Sequence, residues 1–377
     1  MKVLGLIVGF IVLALVAVAG YMRLNYVETA AFPDRTQAPL LDAGVLETVA
    51  DLPMPPGNIA VADDGTVYFT FHPAASPEIN VARLDSGVGE AFPSADWQPG
   101  GAEVLAFQEV LSVRIDRAQQ LWALDAGGNG MGTARLLAFD LQSGELTHHH
   151  DFERDIFGVG SHANDFQVSR DGRYIFISDA SLLARTPALV VYDVQAKVAR
   201  RLLVGHESVR AGNFEPVVQG RHMTIAGLLT VNPGVDGIAL GPDENWLYFA
   251  SITADQLYRI PVAALIDTSL DGSEVAAQVE TFAPKTMTDG MIADAAGNVY
   301  LSDIENSAIV RMTPEGKLQT LVKTDKLRWP DGFSLGPDKH LYVTCSSLHQ
   351  VIGLDPESVR STAPYQIYRV KLPLTDD

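Results

Sequence analysis

One phrase recurs six times along this chain of 377 residues: an alternating apolar run, a polar turn, then an aromatic that opens a second run. It occupies Pro56 to Phe69, Val110 to Leu124, Ala163 to Ser178, Val235 to Ala250, Thr288 to Ser302 and Pro330 to Thr344. The aligned aromatics are Tyr68, Trp122, Phe176, Tyr248, Tyr300 and Tyr342, separated by 54, 54, 72, 52 and 42 residues. Large apolar residues recur at spacing two, as half-buried strands require. Asp64-Gly65, Asp171-Gly172 and Gly297-Asn298 supply residues that tolerate positive φ, so each phrase reads as a β-hairpin. A lone hairpin cannot bury its apolar face, so neighbouring units must stack and the ring must close. The expected fold is all-β, a six-bladed β-propeller preceded by an N-terminal transmembrane or signal helix.

The expected organisation is a signal anchor or signal peptide over 1–23, a linker over 24–44 and the propeller over 45–377. Val3 to Met22 is an unbroken apolar run behind Lys2, longer than an ordinary signal-peptide core. Ala17-Val18-Ala19 resembles a small-residue cleavage site, but the length favours an uncleaved anchor. The positive amino end should stay cytoplasmic, which puts the propeller on the periplasmic or extracellular side. The 205–233 stretch lengthens one interval and reads as an inserted loop over one face, a variable surface loop rather than a lid. A single cysteine, Cys345, excludes an intramolecular disulfide and reads as a small buried core residue. The formal charge of −19 works against nucleic acid as a partner. A monomeric propeller with a small-molecule ligand and no nucleotide cofactor is expected.

The position that opens each first strand reads Gly57, Leu111, Asn164, Asp236, Asp289 and Asp331. Innermost strands line a propeller's channel, so four consecutive blades aim oxygen ligands at one axis. Crowded carboxylates repel unless protonated or neutralised by a cation, and hard oxygen donors suit Ca²⁺ or another divalent ion. Asn164, Asp236, Asp289 and Asp331 are therefore the metal candidates. Asp before Gly is also an ordinary turn residue, but three such pairs in phase exceed what turns require. Asp236, Asp289 and His162 are the catalytic candidates, His162 as a base at the rim. Asp125, Asp179 and Asp303 end the second strands and should share the channel rim as supporting groups, with Asn58 and Asp165 beside the first-strand column.

Other motifs carry less. His148-His149-His150 follows a Gly-Glu turn and reads as a solvated run in an exposed loop. Gly127 to Gly132 lacks both a following helix and a Walker lysine, so it is no phosphate loop. No Gly-x-Ser-x-Gly elbow is present.

The segments RIDRAQQLWALDAGG, GVDGIALGPDENWLYFASITADQLYRIP, DGMIADAAGNVYLSDIENSAI and LRWPDGFSLGPDKHLYVTCSSLHQV closely resemble the yellow/major royal jelly protein family, from about Val110 to Val351. More distantly, the Asn/Asp-Gly strand openings look like those of gluconolactonase- and paraoxonase-type propellers. The first resemblance implies an extracellular propeller, some members of which bind biogenic amines while others are linked to dopachrome conversion. The second implies a divalent ion held by a first-blade Glu, a third-blade Asn and a fourth-blade Asp. Asn164 and Asp236 match the latter two, whereas Pro56-Gly57-Asn58 stands where the Glu belongs. The cysteines of animal yellow proteins are absent, which fits a bacterial-type relative. Three functions follow as expectations: a small-molecule binder at the channel, with or without a divalent cation; a metal-dependent lactonase or dopachrome-type isomerase; and an envelope interaction scaffold.

Overall fold

The computed structural model describes residues 2–373, with side chains from Phe10 onward except at residue 25. Six four-stranded antiparallel sheets form the blades of a ring. Blade one runs through Pro56–Val61, Val67–Phe71, Val81–Asp85 and Val88–Ala91. Blades two and three open with Val110–Ile115 and Ala163–Val168, blades four and five with Val235–Leu240 and Met291–Ala293. Blade six is closed by two ends of the chain. Its inner three strands are Pro330–Leu335, His340–Cys345 and Tyr365–Lys371, and its fourth is Glu47–Leu52, which pairs antiparallel with Tyr365–Lys371 from Glu47–Arg369 to Leu52–Tyr365.

Each aligned aromatic lies in a second strand and is buried. The apolar residues pack between adjacent blades instead of around one centre. Phe176 and Leu189 of blade three, for example, meet Ile238 and Phe249 of blade four. Complete burial of such a side chain contributes roughly 1.5–3 kcal/mol, so every blade depends on its neighbours. Gly65 and Gly172, at φ +87 and +70, make the hairpin turns that the Asp-Gly pairs predict.

Because each first strand starts at one end of the channel, all loops between blades, and all loops joining second to third strands, gather on that face. The 205–233 insertion lies there too, as two small hairpins, Val217–Val218 with Arg221–His222 and Thr224–Ile225 with Leu229–Thr230. It is not the loose surface loop that its length suggests. Val218, Met223 and Val231 are buried in one apolar cluster with Ile252, Met287, Trp329 and Leu348. Arg221 donates to the carbonyls of His349 and, at 2.7 Å, Ile352, while Glu305 accepts from the Val217 amide at 2.7 Å. The insertion thus bridges from blade four to blades five and six over the channel mouth.

Ahead of the propeller, helix α1 (Lys2–Tyr26) leads into an extended strap. Arg35 ties the strap to Asp255 and to the Lys285 carbonyl, and Leu40 and Leu41 bond Thr320 and Leu321. Among the described residues no helix is long and apolar enough to cross a membrane. The expected span begins at Val3, so part of it lies outside the described side chains.

Candidate functional site

The channel mouth holds a cavity of about 130 Å³, and all six strand-opening residues line it: Gly57, Leu111, Asn164, Asp236, Asp289 and Asp331. The phase of the repeat therefore converts directly into a ring of side chains. A roomier groove of about 720 Å³ lies at the junction of blades one and six, but its walls are mainly apolar, from Met54, Phe71 and Ile79. The convergent polar groups are in the smaller cavity, which makes it the candidate site.

The four expected ligating residues stand together. The Asn164 amide donates to Asp236, and Trp329 Nε1 donates to Asp289 Oδ2 at 2.5 Å. Burial pushes the Asp236 carboxyl well above the usual carboxylate range, reinforced by the charges of Asp289 and Asp331. Burial likewise raises Asp289 to about 6, against the opposing hydrogen bond from Trp329. Asp331 is also pushed well above its ordinary value by burial and by Asp289, while Ser346 and Arg114 act in the other direction. The contact between the Asp236 and Asp289 carboxyls raises Asp236 further and acts downward on Asp289, so the two titrate as an interacting pair.

Glycine explains how three backbones come so close. A Cβ at Gly237 would lie 2.4 Å from the Asp289 carbonyl oxygen, and one at Gly290 would lie 1.7 Å from that of Asp331. The Asp-Gly pairs thus combine a carboxyl aimed at the axis with a close approach of adjacent blades.

Opposite this acidic arc the wall is different. Arg114, on the first strand of blade two, donates to both Asp165 oxygens at 2.7 Å and also to Asn58. Ser112 adds a bond to Asp165 at 2.6 Å, and Asn58 and Asp165 both line the cavity. The Arg114 charge was missed in sequence, because an Arg in an alternating strand reads as a solvent-facing residue. His72 and His162 lie on the cavity wall as well. His162 Nδ1 is 2.9 Å from Asn129 Oδ1, which leaves Nε2 as the acceptor. Burial pushes His72 down to about 3, so it is neutral at ordinary pH.

Three expected rim carboxylates do not reach the cavity. Asp125 is turned into backbone, accepting from Gln108, Glu109 and Gly127. Asp179 accepts from the amides of His162 and Ser181 and pairs with Arg201 at 2.5 Å, and Asp303 accepts from Asn306. The end of the second strand adjoins the mouth, but its carboxylates are consumed in fixing the loops. His148-His149-His150 is not an exposed loop either. It lies in the strand Leu146–Asp151, where His150 stacks on Tyr192 at 4.3 Å and His148 Nε2 bonds the Tyr192 hydroxyl at 3.0 Å. Cys345 is fully buried, and burial pushes its thiol up to about 12.

For a divalent ion, the donors fit in kind: an amide oxygen and crowded carboxyls, all hard. Among the described residues, however, no group of three or more His, Cys, Asp or Glu side chains is arranged to hold a metal ion.

Comparison with known proteins supports the architecture. The sequence model described as major royal jelly protein matches residues 108–372. Major royal jelly protein 3 of Apis mellifera is 23% identical over 256 residues, covering 64% of this chain and 45% of its own length. Major royal jelly protein 6 of the same species is 23% identical over 246 residues, covering 61% and 54%. The chain spans about half the length of these curated relatives. Among solved structures, a Xanthomonas campestris gluconolactonase aligns with a TM-score of 0.56 at 14% identity, covering 93% of this chain and 99% of its own. The calcium-binding protein regucalcin from Agrobacterium tumefaciens aligns with a TM-score of 0.56 at 16% identity, covering 89% and 96%. At such identity these two likenesses establish the fold alone.

Proposed function

For a chain that belongs to the major royal jelly protein family, we propose that the acidic channel mouth binds a small cationic or polyol-like molecule. The observation that carries this reading is the composition of the cavity: Asp236, Asp289 and Asp331 converge on one side of about 130 Å³, with no Arg or Lys among the described lining residues. A cavity of about 150 Å³ accommodates a benzene-sized molecule, which sets the scale of the buried part of a ligand. An ammonium group or vicinal hydroxyls would take up the carboxyl oxygens, while Leu111, Leu182, Val231 and Ile252 supply apolar contact. The neutral histidines add no repelling charge: His162 offers Nε2 as an acceptor, whereas His72, whose Nδ1 accepts from the Ala74 amide, offers an Nε2–H donor.

Catalysis is a second reading, favoured by the Asn164–Asp236 contact and the crowding of the Asp236 and Asp289 carboxyls. Asn164, Asp236 and Asp289 would hold a divalent cation, which when bound would polarise a lactone carbonyl. With the ion bound, Asp236 and Asp289 would serve as deprotonated ligands, and the chain's own proton acceptor would be Nε2 of His162. The substrate class would be a small lactone, in keeping with the gluconolactonase-like fold. We further propose that the propeller stands outside the cytoplasmic membrane behind its apolar helix.

Calorimetric titration of amines and sugar alcohols, with and without Ca²⁺, tests the first reading. Heat on titration into the native protein, lost in Asp289→Asn, is expected; no heat from either class in a folded sample would overturn it. Chelator-sensitive lactone hydrolysis, abolished by Asp236→Asn, would move the assignment to the enzyme.

A further inference from the structure

We propose that the channel-mouth face docks on a lipid surface of neutral headgroups, with α1 and the loop tips around the mouth entering the bilayer. The end of α1 is fixed to this face. Arg23 Nη1 donates to the Gly227 carbonyl at 3.5 Å, the Arg185 guanidinium lies 5.1 Å from the Tyr26 ring centre, and the Glu28 amide donates to Thr230 Oγ1 at 2.9 Å. Gly227 and Thr230 belong to the insertion over the cavity, and Arg185 to a blade-three loop of the same face.

From there the helix presents Phe10, Ile11, Val12 and Leu13 in succession, all at least half exposed, with Leu15 and Val16 following. Successive residues advance about 100° around a helix, so these side chains cover its whole circumference. A protein partner or a second copy would bury one stripe and leave the rest in water. A helix apolar on every side matches an environment apolar on every side, which is hydrocarbon.

The propeller repeats the signal on the same face. Val104, Met131, Val159, Leu183 and Ile225 stand exposed on mouth-face loops drawn from different blades, Val104 at 95% and Met131 at 73%. Leu183 adjoins Leu182, which lines the cavity, so the apolar rim and the site are neighbours in the chain. Isolated exposed apolar residues are common; several on one face around the base of an apolar helix form a surface. The charge of −19 selects neutral over anionic lipid.

The buried Cys345 makes a direct test practical, because an introduced cysteine can be labelled alone. The full chain carrying Leu183→Cys, or in a second preparation Met131→Cys, is labelled with an environment-sensitive fluorophore and mixed with phosphatidylcholine vesicles. Val198→Cys, exposed in a hairpin at the opposite end of blade three, is the control. The expected result is vesicle flotation with a severalfold rise in emission at Leu183 and Met131, quenched by brominated acyl chains, and no change at Val198. Failure to float, flotation with silent mouth-face labels, or quenching at Val198 would overturn the proposal. A rise that follows protein concentration without vesicles would also overturn it, by assigning the face to a second copy.

Discussion

The two halves of the channel wall solve one packing problem in opposite ways. In blades four to six each strand opening is Asp-Gly, and the absent side chain lets the next blade's backbone approach within contact of the glycine. In blades one to three the following positions are Asn58, Ser112 and Asp165, whose side chains fill the space and are tied together by Arg114. The glycine half has its carboxyls crowded, buried and shifted toward the protonated form; the other half pairs its Asp165 carboxylate with Arg114. A near-sixfold ring thereby acquires one acidic side, because charge compensation is local while the backbone repeat is global.

The strongest way to break this contrast is Arg114→Met. It strands the buried Asp165 carboxylate, and the loss in unfolding free energy should be about 3–5 kcal/mol by chemical denaturation. Adding Asp165→Asn should restore much of it. Gly290→Ala attacks the other half. With a Cβ 1.7 Å from the Asp331 carbonyl oxygen, the blades must separate, and a loss of roughly 3 kcal/mol is expected from the same measurement.

Asp289→Asn sharpens the comparison through pH. The folded carboxyl is raised from its ordinary 3.8 to about 6, so its favourable contribution is complete below pH 4 and is lost as pH rises through 6. Wild type should therefore lose stability relative to Asp289→Asn across that window, by roughly 1–3 kcal/mol. A pH-independent difference would show that Asp289 carries no displaced proton.

Much of this was legible in the sequence, because a period of strands and turns fixes both the number of blades and the phase of the channel. Gly57, Leu111, Asn164, Asp236, Asp289 and Asp331 form a column in the text and a ring in space for the same reason. What stayed hidden depends on partners distant in sequence. Arg114 meets Asp165 across a blade boundary, and the histidine tract finds Tyr192 on the next blade. A second column, two residues beyond the aromatics at Thr70, Ser178 and Thr344, was also readable. Its hydroxyls bond the strand-opening carbonyls of Leu111, Asp236 and Gly57 on the following blades. The insertion's role was illegible because Val218, Met223 and Val231 show no period that links them to Trp329 or Leu348.

The seam in blade six bears on how the chain acquires its shape in time. Glu47–Leu52 is synthesised long before its hydrogen-bonding partner, Tyr365–Lys371, far along the same chain. Until that strand arrives, Glu47–Leu52 and His340–Cys345 keep unpaired edges and blade six is incomplete. The channel-mouth cavity therefore needs the strand Tyr365–Lys371: a translation product that stops before it would keep all six strand openings and still lack the geometry that brings them together.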